Sequence, residues 1–173
     1  MDPVDPHLQR LQEELAAAVA GLSAEQLKPH LPGKWCVSEI LEHLHLTYTG
    51  TLKGFERVAR AGKPLATTPT WMQRGRTLIV VTFGRMPSGT EAPAVSRPRG
   101  LPPESVLAEI ESRISDMDNA IARCEAKFGA RRKLLDHPIL GPLTASQWRK
   151  LHLVHSLDHL KQIRGLCVGV IKE

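Results

Sequence analysis

Cysteine is scarce in this chain, and the few copies present cannot build a framework. Cys36, Cys124 and Cys167 are widely spaced and lie in apolar patterns, which excludes a disulfide-stapled fold and a CxxC metal motif and fits a reducing cytoplasm. Long hydrophobic runs are missing too. No stretch approaches the ~20 apolar residues of a membrane span, and Met1-Asp2-Pro3-Val4-Asp5 carries acids where a secretory signal needs an apolar core. Aromatic residues amount to only 4% of the chain, and no basic strip is interleaved with them. The formal charge of +5 and the pI of 9.4 rest on scattered side chains, with Arg131-Arg132-Lys133 as the one run. A solvated loop accounts for that run, so neither nucleic acid nor membrane is expected as a partner.

What is present is ordinary globular material. With 42% hydrophobic and 24% charged residues over 173 positions, the chain can bury a sizeable core as one domain, residues 1–173. Asp5 as N-cap and Pro6 at the first helical position open a helix carried by Leu8, Leu11, Leu15 and Val19, which Gly21 can end. Ser23-Ala24-Glu25-Gln26 is a capping-box pattern that begins a short turn before Pro29, Pro32 and Gly33. A second helix runs from about Val37 to Ala61 on Ile40, Leu41, Leu44, Tyr48, Leu52 and Phe55, and Gly62 and Pro64 close it.

Residues Trp71 to Phe83 are ambiguous, because Thr77 to Phe83 also reads as a buried strand. A helix is expected there, since a lone strand would have no pairing partner. Gly84 to Gly100, with Pro87, Pro93 and Pro98, reads as a long loop of the kind used for lids or interface arms. Pro102-Pro103-Glu104 starts a helix whose Leu107, Ile110, Ile114, Met117, Ile121, Cys124 and Phe128 recur by three and four, a bundle seam. The turn His137-Pro138-Ile139-Leu140-Gly141-Pro142 then leads to a capping box at Thr144-Ala145-Ser146-Gln147 and a final helix. The expected fold class is all-α, an up-down four-helix bundle with an additional short helix and a long loop.

The final helix carries the chemistry. On a helical wheel Trp148, Leu151, His152, His155, His159, Ile163 and Leu166 share the inward sector. His155 and His159 are four apart, so one ring lies above the other on a single face, as a pair of metal ligands requires. A buried imidazole must recover its lost hydration by hydrogen bonding or coordination, since an unpaired buried polar group costs ~1–3 kcal/mol. A third imidazole from another helix would complete a three-histidine site with a vacant position, the catalytic rather than the closed structural arrangement. The second helix offers His43 and His45, which point in different directions, and periodicity does not choose between them. The competing reading makes each histidine a satisfied core residue. His7, His30 and His137 sit near termini or turns, where solvent exposure or loop anchoring is expected. Cys124 reads as core and Cys36 as a small filler, although a thiolate would be favoured at the helix start. Trp35, Trp71 and Trp148 read as packing anchors.

Trp35-Cys36-Val37-Ser38-Glu39-Ile40-Leu41-Glu42-His43-Leu44, together with His155-Ser156-Leu157-Asp158-His159-Leu160-Lys161-Gln162-Ile163, resembles the signature of the DinB/YfiT-like superfamily. That pattern has a tryptophan before the second helix, a histidine followed by leucine within it, and HxxxH followed by Gln-Ile in the last. His137-Pro138 with Gly141, and Trp148, are similar to the superfamily's approach to its final helix. The resemblance implies a metal-binding four-helix bundle with His43, His155 and His159 as ligands, and His45 on the helix surface or behind the ligands. It also implies a frequent homodimer, and activities that include thiol S-transferases, a mycothiol-dependent isomerase and candidate hydrolases. The Gly84–Gly100 loop has no counterpart in the thiol-transferase pattern. The expected cofactor is a divalent transition metal, with zinc or nickel foremost among the ions imidazole suits, and a low-molecular-weight thiol as possible co-substrate beside a small-molecule substrate. His152, Asp158 and Gln162 are candidates for orienting a ligand ring or relaying a proton. The alternative is a non-catalytic metal-binding bundle acting as a structural or interaction module, in which His152 or Asp158 fills the fourth position.

Overall fold

A computed structural model describes residues 5–23, 25–86 and 91–170. The Asp5 carboxylate accepts the His7 amide at 2.9 Å and starts α1, Pro6–Val19, which buries Leu8, Leu11 and Leu15. Ser23 and Gln26 exchange the reciprocal bonds of a capping box, at 2.8 and 3.4 Å, but only a turn follows. α2 spans Val37–Ala61 and ends on Gly62, whose φ of 64° is a left-handed conformation that glycine reaches without strain. α4 is Pro103–Phe128 and α5 is Ala145–Val170, opened by the Thr144–Gln147 capping box. Between α2 and α4, α3 covers Trp71–Thr77 and continues into a π-helical turn, Leu78–Thr82. The helical reading of this segment stands, and the strand reading does not.

The long helices pack as two pairs, α2 along α4 and α1 along α5, around one apolar core. The α4 stripe buries Ile110, Ile114, Met117, Ile121 and Cys124 as its spacing predicts, with Val106 added and Leu107 and Phe128 only half-buried. No helix among the described residues is long and apolar enough to cross a membrane. α3 stays outside the core. Trp71 is 81% exposed, so it is not a packing anchor, and Leu78, Ile79 and Phe83 are exposed beside a buried Val80.

The chain is mostly helical, as the all-α reading expects, and two findings add to that reading. Leu135–His137 and Gly141–Leu143 form an antiparallel hairpin, with Leu135 opposite Leu143 and His137 opposite Gly141. Its turn is held by His137, whose Nδ1 accepts the amides of Ile139 and Leu140 at 3.2 Å each. A side-chain acceptor thus does the work usually given to main chain. Gly141 adopts φ 72°, and a Cβ there would lie 2.6 Å from the Gln73 side chain, so α3 rests directly on this strand. The second finding concerns the long loop, whose residues 87–90, Pro87 included, lie outside the described set. Its later half is strapped to α2. A 3-10 turn forms at Ala94–Ser96, and the buried Glu42 carboxylate accepts the amides of Arg99, Gly100 and Leu101 at 2.7, 3.0 and 3.1 Å.

The ends of three helices are tied by one buried guanidinium. Arg149 of α5 donates to Asp118 of α4 at 2.7 Å and to Glu125, while Asp118 also accepts the Asp5 amide at 2.8 Å. Arg149 and Asp118 side chains are each 8% exposed. Removing one partner of a buried pair leaves the other charge uncompensated, which costs about 3–5 kcal/mol. Arg149→Ala should therefore lower the unfolding free energy by roughly that amount in a urea titration; a change below about 1 kcal/mol would show the network to be dispensable.

Candidate metal centre

Two polar bonds inside the core set α2 against α5. The Tyr48 hydroxyl lies 2.7 Å from Ser156 Oγ, and His152 Nε2 lies 3.1 Å from Thr51 Oγ1, all four groups being buried. In that register His43, in the second turn of α2, comes opposite His155 and His159 of α5. One ring nitrogen from each of the three falls within 4.8 Å of the others. Ring centroids are 4.7 Å apart for His155 and His159, 4.8 Å for His43 and His159, and 5.2 Å for His43 and His155. This group could hold a metal ion.

Each outer nitrogen with an assigned partner fixes the tautomer of its ring. His43 Nδ1 stands 2.7 Å from the Ser96 carbonyl, which can only accept, so Nδ1 carries the hydrogen and Nε2 presents a lone pair. His159 Nδ1 stands 3.2 Å from Gln162 Oε1 and leaves its Nε2 bare in the same way. The Gln162 amide is turned by Asp158, 3.5 Å from its nitrogen. His43 Nε2 and His155 Nε2 are 3.3 Å apart. Two nitrogens at about 2.0–2.1 Å from one tetrahedral ion stand about 3.3 Å from each other, so this pair already has the spacing of shared ligands.

Burial keeps the rings neutral. His43 is pushed down to about 4 by desolvation, against the Ser96 bond that raises it and with His159 lowering it further. His155 is held well below the usual imidazole range, first by burial and then by His159 and His43. Burial also lowers His159, against Gln162 and Asp158. Near pH 7 all three therefore offer lone pairs rather than N–H⁺ groups, the state coordination needs. A cavity of about 1040 Å³ reaches the cluster at its His159 corner, bordered by Trp35, Lys34, Glu39, Arg97, Gln162 and Leu166.

Of the remaining residues singled out by sequence, Gln162 touches a ring of the group, Asp158 acts on it through Gln162, and His152 turns away. His152 bonds to Thr51 and stacks on Trp148 at 5.9 Å, and its Nδ1 has no partner. His45 is not on the helix surface: it is buried between α2 and α4, with Nε2 3.3 Å from Glu109. A position flanking the apolar stripe is covered once α4 packs there, which a wheel of α2 alone does not show. Trp35 is more than packing, since its ring lies 5.1 Å from His43 and 6.5 Å from His159 and walls the cavity. Trp148 is the buried anchor, its Nε1 donating to Leu135. Cys124 is core, its thiol 3.5 Å from the Phe55 carbonyl.

Sequence reasoning missed Ser96 and Glu42. A backbone carbonyl in a 3-10 turn leaves no residue signature, whereas an acid directly before His43 on a buried stretch was a readable signal. Freeing the strap by Glu42→Ala should lower zinc(II) affinity about 10–100-fold through the loss of His43 orientation, measured by chelator competition; equal affinities would uncouple the loop from the rings.

The imidazoles also predict a pH dependence. His43, His137 and His152 sit at about 4, about 4 and about 3 when folded, against 6.5 when unfolded, with burial the leading cause in each. The unfolded chain binds more protons in that interval, so stability is lost as pH falls from about 6.5 towards 4. Metal-free protein should show a falling urea midpoint between pH 7 and pH 4.5, and a flat midpoint would contradict neutral buried rings.

No curated protein and no solved structure matches the chain. A family profile matches residues 2–165, nearly the whole length, and the chain thereby belongs to the family described as Protein of unknown function (DUF1569).

Proposed function

We propose that this chain is a divalent-metal-dependent enzyme of thiol S-transferase-like or hydrolase-like activity, with His43, His155 and His159 as the metal ligands. The single observation that carries the reading is three neutral imidazoles converging from α2 and α5, two of them with tautomers fixed from outside by Ser96 and Gln162. Three donors rather than four form the group among the described residues, and a cavity opens at one corner, as an open site requires. Imidazole-only ligation suits zinc or nickel. When bound, such an ion supplies Lewis acidity that makes water or a small thiol nucleophilic near neutral pH.

The chain's own residues do the rest. Ser96 and Gln162 hold the ring hydrogens on Nδ1 of His43 and His159, so the lone pairs stay aimed inward. Trp35 offers an aromatic wall to a small organic substrate, and Lys34 and Arg97 give the cavity cationic groups, with Arg97 2.8 Å from Glu91. The same reading takes the chain as one domain of the DinB/YfiT-like four-helix type working in the cytoplasm. It includes a homodimer, which the exposed Trp71, Leu78, Ile79 and Phe83 of the α3 segment support as an uncovered apolar face.

Elemental analysis of protein purified without a nickel column should give close to one transition-metal ion per chain at this site. His155→Ala or His159→Ala should remove it, and His45→Ala should not. Retention of the ion in both of the first two variants would overturn the ligand assignment. Metal-replete protein should turn over electrophiles with low-molecular-weight thiols, or esters and amides with water; inertness towards both sets would shift the reading to a non-catalytic metal-binding module.

A further inference from the structure

A second group of metal-ligating side chains lies at the start of α2, outside the three-histidine cluster. His30, Cys36 and Glu39 each bring one donor atom within 4.8 Å of the others. Cys36 is the N-cap of α2, Glu39 belongs to its first turn, and His30 comes from the segment just before it. His30 Nδ1 and Glu39 Oε2 stand 3.5 Å apart. That exceeds the ordinary N–H···O distance of about 2.7–3.2 Å. It is close to the separation of about 3.4 Å between an imidazole nitrogen and a carboxylate oxygen that share one tetrahedral ion.

The residue chosen at the cap points the same way. Helix N-caps are best made by Ser, Thr, Asp or Asn, whereas here the sulfur of Cys36, a weak acceptor, closes a capping box with Glu39. What cysteine adds is a soft sulfur donor of the kind transition metals take. Cys36 is only 2% exposed, so it is poorly placed to attack a substrate. Its Sγ lies 3.1 Å from Ser38 Oγ, and Glu39 Oε2 accepts its amide at 2.9 Å, so the first turn holds both donors in place. His30 forms the exposed rim, beside a cavity of about 420 Å³ that Lys34, Trp35 and Glu39 also border.

We propose that His30, Cys36 and Glu39 form a second divalent transition-metal site, with one imidazole, one thiolate, one carboxylate and a fourth position for water. Thiolate and carboxylate together balance the two charges of the ion, and the thiol proton leaves to solvent on binding. Such mixed ligation selects zinc-like ions over magnesium or calcium. An ion here clips the 30–35 segment to α2. Leu31, Lys34 and Trp35 of that segment wall the larger cavity at His159, so occupancy fixes the shape of its mouth.

The full-length chain, stripped with a chelator and titrated with cobalt(II) chloride, tests this directly. A near-ultraviolet thiolate-to-cobalt charge-transfer band should appear, with two ions taken up per chain. Cys36→Ser, which keeps a good cap, and His30→Ala, at an exposed position, should each weaken the band at least tenfold. His43→Ala should leave the band intact while uptake falls to one ion. A missing band in the parent protein, or a band that survives Cys36→Ser, would overturn the site. Failure of the three-histidine assignment would appear separately, as unchanged uptake in His43→Ala.

Discussion

Everything at the candidate centre depends on the register between α2 and α5. Two buried hydrogen bonds, Tyr48 to Ser156 and Thr51 to His152, set it. An α-helix advances 5.4 Å per turn, so a slip of one turn would carry His43 past the interval between His155 and His159. Apolar packing alone is non-directional and tolerates such slips better than a polar pair sealed from water, which loses its partner at once. Burial raises the Tyr48 hydroxyl well above its usual range, so it stays protonated and able to donate. The cost of burying these hydroxyls and this imidazole thus becomes positional specificity for three rings.

The electrostatics of the centre follow from its ligand set. None of the three donors carries a charge, and the acids nearby act indirectly: Asp158 through Gln162, and Glu42 through the strap. An ion held only by neutral imidazoles keeps its charge largely unscreened by its ligands. That makes it a stronger Lewis acid than one shared with thiolates or carboxylates. On the cavity wall Lys34 and Arg97 are matched by Glu39 and Glu91, Arg97 lying 2.8 Å from Glu91, so the lining itself adds no net charge. On the proposed reading, such an ion would favour nucleophiles or substrates that develop negative charge.

Much of this was legible from the sequence, for identifiable reasons. α1, α4 and α5 carry start signals, α1 and α2 carry terminators, and those bounds fall where the signals stand. The helical histidines at 155 and 159 share a face by spacing alone, but the choice of His43 over His45 came from resemblance, because both flank the same stripe. The turn at His137–Pro142 was readable, but the hairpin was not, since each of its strands is only three residues long and shows no alternation. Trp71 and Trp35 misled in opposite directions. Tryptophan is usually buried, yet one stands in solvent and the other faces the rings, and only tertiary contacts distinguish these environments.

The strap across α2 is fastened through main-chain atoms: the Ser96 carbonyl on His43, and three successive amides, at Arg99, Gly100 and Leu101, on Glu42. Anchors of that kind are blind to side-chain identity. Apart from Gly100, whose φ of 86° favours glycine, such a segment can change composition while its backbone path stays fixed, whereas an insertion or deletion between positions 96 and 101 would pull the two fastenings out of step. A change of length is therefore better accommodated before Ala94, where a cavity wall could be rebuilt without disturbing the rings.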